Sequence, residues 1–234
     1  MTSHAFLLLL EQTISRKHLL LHPFYQAWSR GELSLDCLRE YAMQYYHHVK
    51  AFSCYLISLI YHTKDPYTRK YLLQNVLDEE GGSPNHPDLW RAFALRLGAT
   101  EEQLEEHTPG KAMSALIDTF DEICRNGCVT DGLAGLYAYE SQIPAVSESK
   151  SHGLQKYYHL QNPNDWKYFT VHIEADKEHA AVERELLLRN LYSSELNIDK
   201  KSEASALQAV QRVLDGLWEF LSSLCDQYQI ALMC

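Results

Sequence analysis

Apolar residues recur along almost the whole chain with the spacing of one α-helical face, and no run keeps the apolar–polar alternation of a half-buried strand. This periodicity predicts an all-α protein, and its punctuation marks the helices. Stretches 3–16 and 23–30 read as helical, the second stopping at Gly31, which suits a left-handed C-terminal cap. Ser34 is placed to cap a long helix to about 61, and Asp65-Pro66 pairs a cap with a proline in the first turn of a helix toward Glu80. Gly81-Gly82-Ser83-Pro84 ends that helix. Asn85 or His86 begins the next, which closes at Gly98, and Thr100-Glu101-Glu102-Gln103 reads as a capping box for a short helix. Further helices are expected at 109–125, at 130–158 with a bend or break at Pro144, at 165–190 behind the cap Asn162-Pro163-Asn164-Asp165, and at 202–229. Long helices with short connections pack up and down, so a bundle of seven to eight helices forming a single domain over 1–234 is expected.

Within that pattern, His172, Asp176 and His179 have the spacing of one helical stripe. At about 100° per residue they fall within roughly 60° of one another, so two imidazoles and a carboxylate project together. Such a stripe normally buries apolar residues, and an ionised aspartate there is costly unless it is paired or binds a metal. A solvated polar face accounts for the three residues equally well on this helix alone. Glu183, one turn further on, reads either as a supporting acid or as a surface residue.

Glu79 ends one expected helix and His86 opens the next across a glycine-rich turn, so both can approach one point, although an acidic helix end beside a loop histidine explains them too. Glu140 lies among Leu133, Leu136 and Ile143, where an acid tends to be paired or a ligand. Together these positions offer three histidines and three carboxylates, a mixture suited to iron or manganese, and six ligands argue for two ions. Two Glu-x-x-His motifs, the mark of ferritin-like sites, are absent.

Composition narrows the rest. The 234 residues are 46% hydrophobic, enough for a substantial core, and 21 basic against 31 acidic residues give a net charge of -10 with no basic run, which argues against a nucleic-acid or anionic-membrane partner. The apolar runs at 6–10 and 52–60 are too short to span a bilayer, no secretory leader is evident, and six scattered cysteines fit a reducing cytoplasm. Cys124 and Cys128 read as buried small residues rather than a zinc site.

The segments 77–90 (LDEEGGSPNHPDLW), 137–144 (YAYESQIP) and 168–179 (YFTVHIEADKEH), with 22–28 (HPFYQAW) and 31–33 (GEL), resemble the heme-oxygenase-like di-metal oxidases, in the death-domain-associating branch. That family is related in fold to pyrroloquinoline quinone synthase and the TenA thiaminase. The resemblance implies a heme-oxygenase-like bundle and a diiron or iron–manganese centre on Glu79, His86, Glu140, His172, Asp176 and His179, with dioxygen and a reductant as co-substrates. It further implies synthesis of p-aminobenzoate for folate, with the protein's own Tyr25 as aromatic source, Lys150 as amine donor, and Tyr41 and Tyr168 assisting the oxidation. A homodimer, a cytoplasmic location or export into a host cell, and host death-domain partners also follow from the resemblance alone. Read from the residues by themselves, Tyr25 is a core tyrosine and Lys150 a solvated lysine near a helix end. Two other functions compete: an oxygenase or decarboxylase acting on an external small substrate, and a metal-free protein that binds death domains.

Overall fold

The structure is a computed structural model describing residues 2–192 and 201–230, and every regular element among the described residues is helical. The helices are α1 (Ser3–Arg16), α2 (Pro23–Arg30), α3 (Leu35–His62), α4 (Pro66–Glu80), α5 (His86–Arg96), α6 (Glu101–Glu106), α7 (Lys111–Asn126), α8 (Val129–Glu140), α9 (Ile143–Tyr157), α10 (Lys167–Tyr192) and α11 (Lys201–Gln227). Short 3₁₀ turns at Leu19–Leu21 and Pro163–Trp166 precede α2 and α10.

The expected signals set the boundaries. Ser34 accepts a hydrogen bond from the Cys37 backbone, Asp65 accepts from Thr68 with Pro66 in the first turn, and Thr100 and Gln103 cap each other reciprocally, as do Asn85 and Asp88. The count reaches eleven α-helices among the described residues because short pieces such as α2 and α6 stand as separate elements and the stretch 130–158 breaks completely. α8 ends at Glu140, and Pro144 falls in the first turn of α9, where its missing N–H costs nothing. The break matters for the site, since it leaves Glu140 at a helix end.

One buried apolar cluster runs from Phe6 to Cys225. α8 lies at its centre, buried at every residue from Thr130 to Glu140 and packed against both α10 and α11. A helix covered all round needs close neighbours. At Gly132 an added Cβ would stand 2.6 Å from Leu59 Cδ1, so the missing side chain is what lets α3 approach. α10 also packs on α9, α5 and α4, and α3 on α7, α4 and α5, so the ends of α4, α5 and α8 converge on the middle of α10. Cys124 is buried as expected, whereas Cys128 is exposed, because it sits at the start of α8 rather than inside a helix. No described helix is long and apolar enough to cross a membrane.

Gly31 closes α2 at φ 72°, with the Glu32 N–H donating back to the Ala27 carbonyl at 2.9 Å, and a Cβ there would lie 2.5 Å from the Tyr157 ring. Gly31→Ala should cost about 1–2 kcal/mol from the left-handed backbone alone, and more from the ring overlap. Urea melts should show that penalty falling toward the backbone share in a Tyr157→Ala background. An equal penalty in both backgrounds would remove the ring from the explanation.

Candidate metal centre

The turn after α4 reverses the chain so that Glu79, in the last turn of α4, meets His86, the first residue of α5, with Nδ1 2.9 Å from Glu79 Oε2. His172 of α10 joins them, its ring centroid 4.3 Å from that of His86. One ligand atom from each of these three residues lies within 4.8 Å of the others. A second group meeting the same limit comprises Glu140 at the end of α8 with Asp176 and His179 of α10. His179 Nδ1 stands 3.3 Å from Glu140 Oε1 and 3.7 Å from Asp176 Oδ1. All six side chains are buried, from 1% exposure at Glu140 to 8% at His179. The structure therefore brings together the whole set singled out in the sequence, as two triads. Glu79, Glu140, His172 and Asp176 border one common cavity of about 10 Å³, so the triads face each other across it.

Two histidines are oriented from behind. His172 Nδ1 donates to the Tyr168 carbonyl at 2.8 Å, which leaves Nε2 with its lone pair. His179 donates through Nε2 to Asp78 at 3.1 Å, which turns Nδ1 toward Glu140 and Asp176. Asn75 donates to Glu140 Oε1 at 3.3 Å.

The electrostatics are those of too many acids in too little solvent. Burial raises the pKa of Glu79, opposed by His86, and pushes Asp176 up to about 8 against the pull of His179. Burial disfavours a charged His179, but Asp176 and Glu140 outweigh it and raise the imidazole to about 11. Burial likewise opposes a charge on His86, which Glu79 nevertheless raises, while His172 is held well below its usual value by burial and by its histidine neighbours. Protons thus occupy positions that a cation would take, and a cation would displace them. The fit is visible in the unmet polar atoms. Glu140 Oε2 and Asp176 Oδ2 are buried without a hydrogen-bond partner, an expensive condition that a divalent ion would relieve.

A second compartment adjoins this one. Tyr25 and Tyr41 share a hydrogen bond between hydroxyls at 3.0 Å, and Lys150 Nζ donates to Tyr41 Oη at 2.7 Å. Far from being solvated, Lys150 is 3% exposed, with its Nζ 5.1–5.9 Å from the ring centroids of Tyr25, Trp28, Tyr41, Tyr45, Trp90 and Phe169. Burial holds its pKa well below the ordinary lysine value and keeps Tyr25, Tyr41 and Tyr168 protonated. Tyr168 is the shared wall: its ring stacks on His172 at 3.9 Å and meets Trp90 edge-on at 4.7 Å. The sequence reading missed Tyr45 and Tyr139, whose hydroxyls bond at 2.6 Å, and also Trp90 and His48. The recurrence of Tyr41, Tyr45, His48, Phe52 and Tyr55 on one stripe of α3 was the available signal for two of these, Tyr45 and His48.

Comparison with known proteins agrees with this arrangement. Residues 39–217 match the family model described as "Iron-containing redox enzyme". The chain is 43% identical over 218 residues to the 4-aminobenzoate synthase of Chlamydia pneumoniae, covering 93% of this chain and 94% of that one. It is 35% identical to the 4-aminobenzoate synthase of Nitrosomonas europaea, covering 100% and 96%. Among solved structures, a domain of heme oxygenase-like fold from Shewanella denitrificans superposes with a TM-score of 0.79 at 20% identity, covering 95% of this chain and 93% of that one. Fold, family model and relatives agree: the chain belongs to the iron-containing redox enzymes and has the heme-oxygenase-like fold.

Proposed function

We propose that this protein is a dioxygen-dependent di-metal oxidase that makes 4-aminobenzoate, taking the ring from its own Tyr25 and the nitrogen from Lys150. The observation that carries the reading is the Lys150 amine, buried, held by that burial well below the usual lysine range and hydrogen-bonded to the phenol that touches Tyr25. The activity printed for the relatives supports it. So does the chemistry of the product, a benzene ring bearing one carbon para to its heteroatom, which is the pattern of a tyrosine side chain.

On this reading Glu79, His86 and His172 hold one ion, and Glu140, Asp176 and His179 the other, as two irons or as iron and manganese. The bound pair supplies oxidation by dioxygen, with electrons from an external reductant. The chain's own residues do the rest. Tyr41 holds the Tyr25 hydroxyl on one side and the Lys150 amine on the other, fixing nucleophile and ring before any bond changes. Trp28, Trp90 and Phe169 exclude water, which favours the unprotonated amine with its lone pair available. Tyr168, packed between His172 and Trp90, lies where an electron would pass from the phenols toward the centre. An internal substrate is favoured over an external one by space. The cavity bordering the ligands, about 10 Å³, is water-sized and cannot admit an aromatic molecule.

Protein isolated from cells supplied with both iron and manganese should carry about two ions per chain by elemental analysis, as a dinuclear centre requires. His172→Ala should lower that content, whereas a metal-free protein with full activity would dismiss the centre. Loaded with metal and given reductant and oxygen, wild-type protein should yield no more than one 4-aminobenzoate per chain, with label from ring-labelled tyrosine in the product, and Tyr25→Phe should yield none. Repeated turnover, or product from Tyr25→Phe, would replace Tyr25 with an external substrate. Lys150→Met, which suits an apolar chamber in volume and polarity, should fold with equal or greater thermal stability yet make no product. Undiminished product from that variant would remove the lysine from the chemistry.

A further inference from the structure

We propose that Glu183 is a seventh ligand carboxylate, held behind Glu140 and available to a divalent cation in the Glu140–Asp176–His179 position. The inference rests on the two-cation reading above. Glu183 follows His179 by four residues on α10 and so continues the stripe that carries His172, Asp176 and His179. It is 2% exposed, and neither carboxylate oxygen has a hydrogen-bond partner. Its carboxyl abuts that of Glu140, whose Oε2 is also unpartnered, and two acceptors satisfy each other only through a shared proton or a common cation. A cavity of about 80 Å³ between α4 and α10 adjoins this pair, lined among others by Asn75, Asp78, His179 and Glu183. It gives an acid-lined approach to His179.

Charge supports the assignment. Glu79, Glu140, Asp176 and Glu183 are four buried carboxylates, and when ionised their charge balances that of two divalent ions. Three would leave a net positive charge in a site without solvent to stabilise it. A purely structural acid would be expected to find an N–H or hydroxyl donor, and among the described residues Glu183 meets only the carboxyl of another acid, Glu140.

The test is Mn²⁺ binding followed by electron paramagnetic resonance, together with thermal melts with and without Mn²⁺. Wild type should take up two ions per chain. Glu183→Gln, whose amide can donate to Glu140, should melt at or above the wild-type temperature without metal. It should bind one of the two ions at least about tenfold more weakly, the scale for losing a group at a metal site, and gain less stability from Mn²⁺. Glu174→Gln, exposed on the same helix and away from that cavity, should match wild type. Should Glu183→Gln not fold, Glu183→Asp, which withdraws the charge by one methylene, carries the same comparison. Two ions bound by the variant as tightly as by wild type, whatever its metal-free stability, would overturn the assignment alone. A wild-type chain that takes up one ion or none would overturn the two-cation reading and this assignment with it.

Discussion

Burying carboxylates is the constraint around which this molecule is organised. Four acids and three imidazoles lie within the centre of the bundle, nearly out of solvent, and no lysine or arginine side chain pairs with the four acids among the described residues. Isolated charges of this kind are tolerated in a protein interior only when protons or cations neutralise them. The helix layout follows from that need. α10 supplies a stripe of candidate ligands, while Glu79, His86 and Glu140 come from helix ends, where the chain can turn to meet the stripe. The hydrogen bonds from His172 to a backbone carbonyl and from His179 to Asp78 then fix which nitrogen faces inward.

The aromatic chamber is built on the opposite principle, because its one ionisable amine has no acid to pair with. Burial, rather than a partner, lowers the pKa of Lys150. Its place is secured by backbone packing: Trp28 Nε1 donates to the Lys150 carbonyl, and Gly153, three residues on, leaves room for the indole, whose Cδ1 lies 2.7 Å from where a Cβ would be. The two compartments meet at Tyr168, which belongs to both.

How much of this was legible in the sequence depends on whether the signal was local. Helix starts at Ser34, Asp65 and Thr100 were readable because a cap acts within three residues, and the α10 ligands because a helix fixes their relative directions. The convergence of Glu79, His86 and Glu140 on that stripe was not, since it depends on how separate helices pack, and family resemblance carried it. Lys150 was misjudged from its residues alone for the same reason: nothing beside it in the chain reveals that Tyr25, Trp90 and Phe169 close over it. Glu183 was left open because its periodicity fits either a buried or an exposed place, and the packing of α4 against α10 decides it.

Taking the substrate from the chain itself would explain a further feature of the architecture. Tyr25 is a core residue, in edge contact with Phe24 and hydrogen-bonded to Tyr41, and it packs beside Trp28. Removing an aromatic side chain from such a place ordinarily costs about 3–5 kcal/mol, a large part of the stability of a domain this size. An enzyme that must turn over cannot place its reactive ring where product release dismantles the core. A protein used once can, and it gains from doing so, because close packing holds phenol, amine and centre in register without a binding step. The same packing would leave the spent chain with a void where the Tyr25 ring stood and without the Lys150 amine, so the reaction would run toward a less stable protein and could not readily reset.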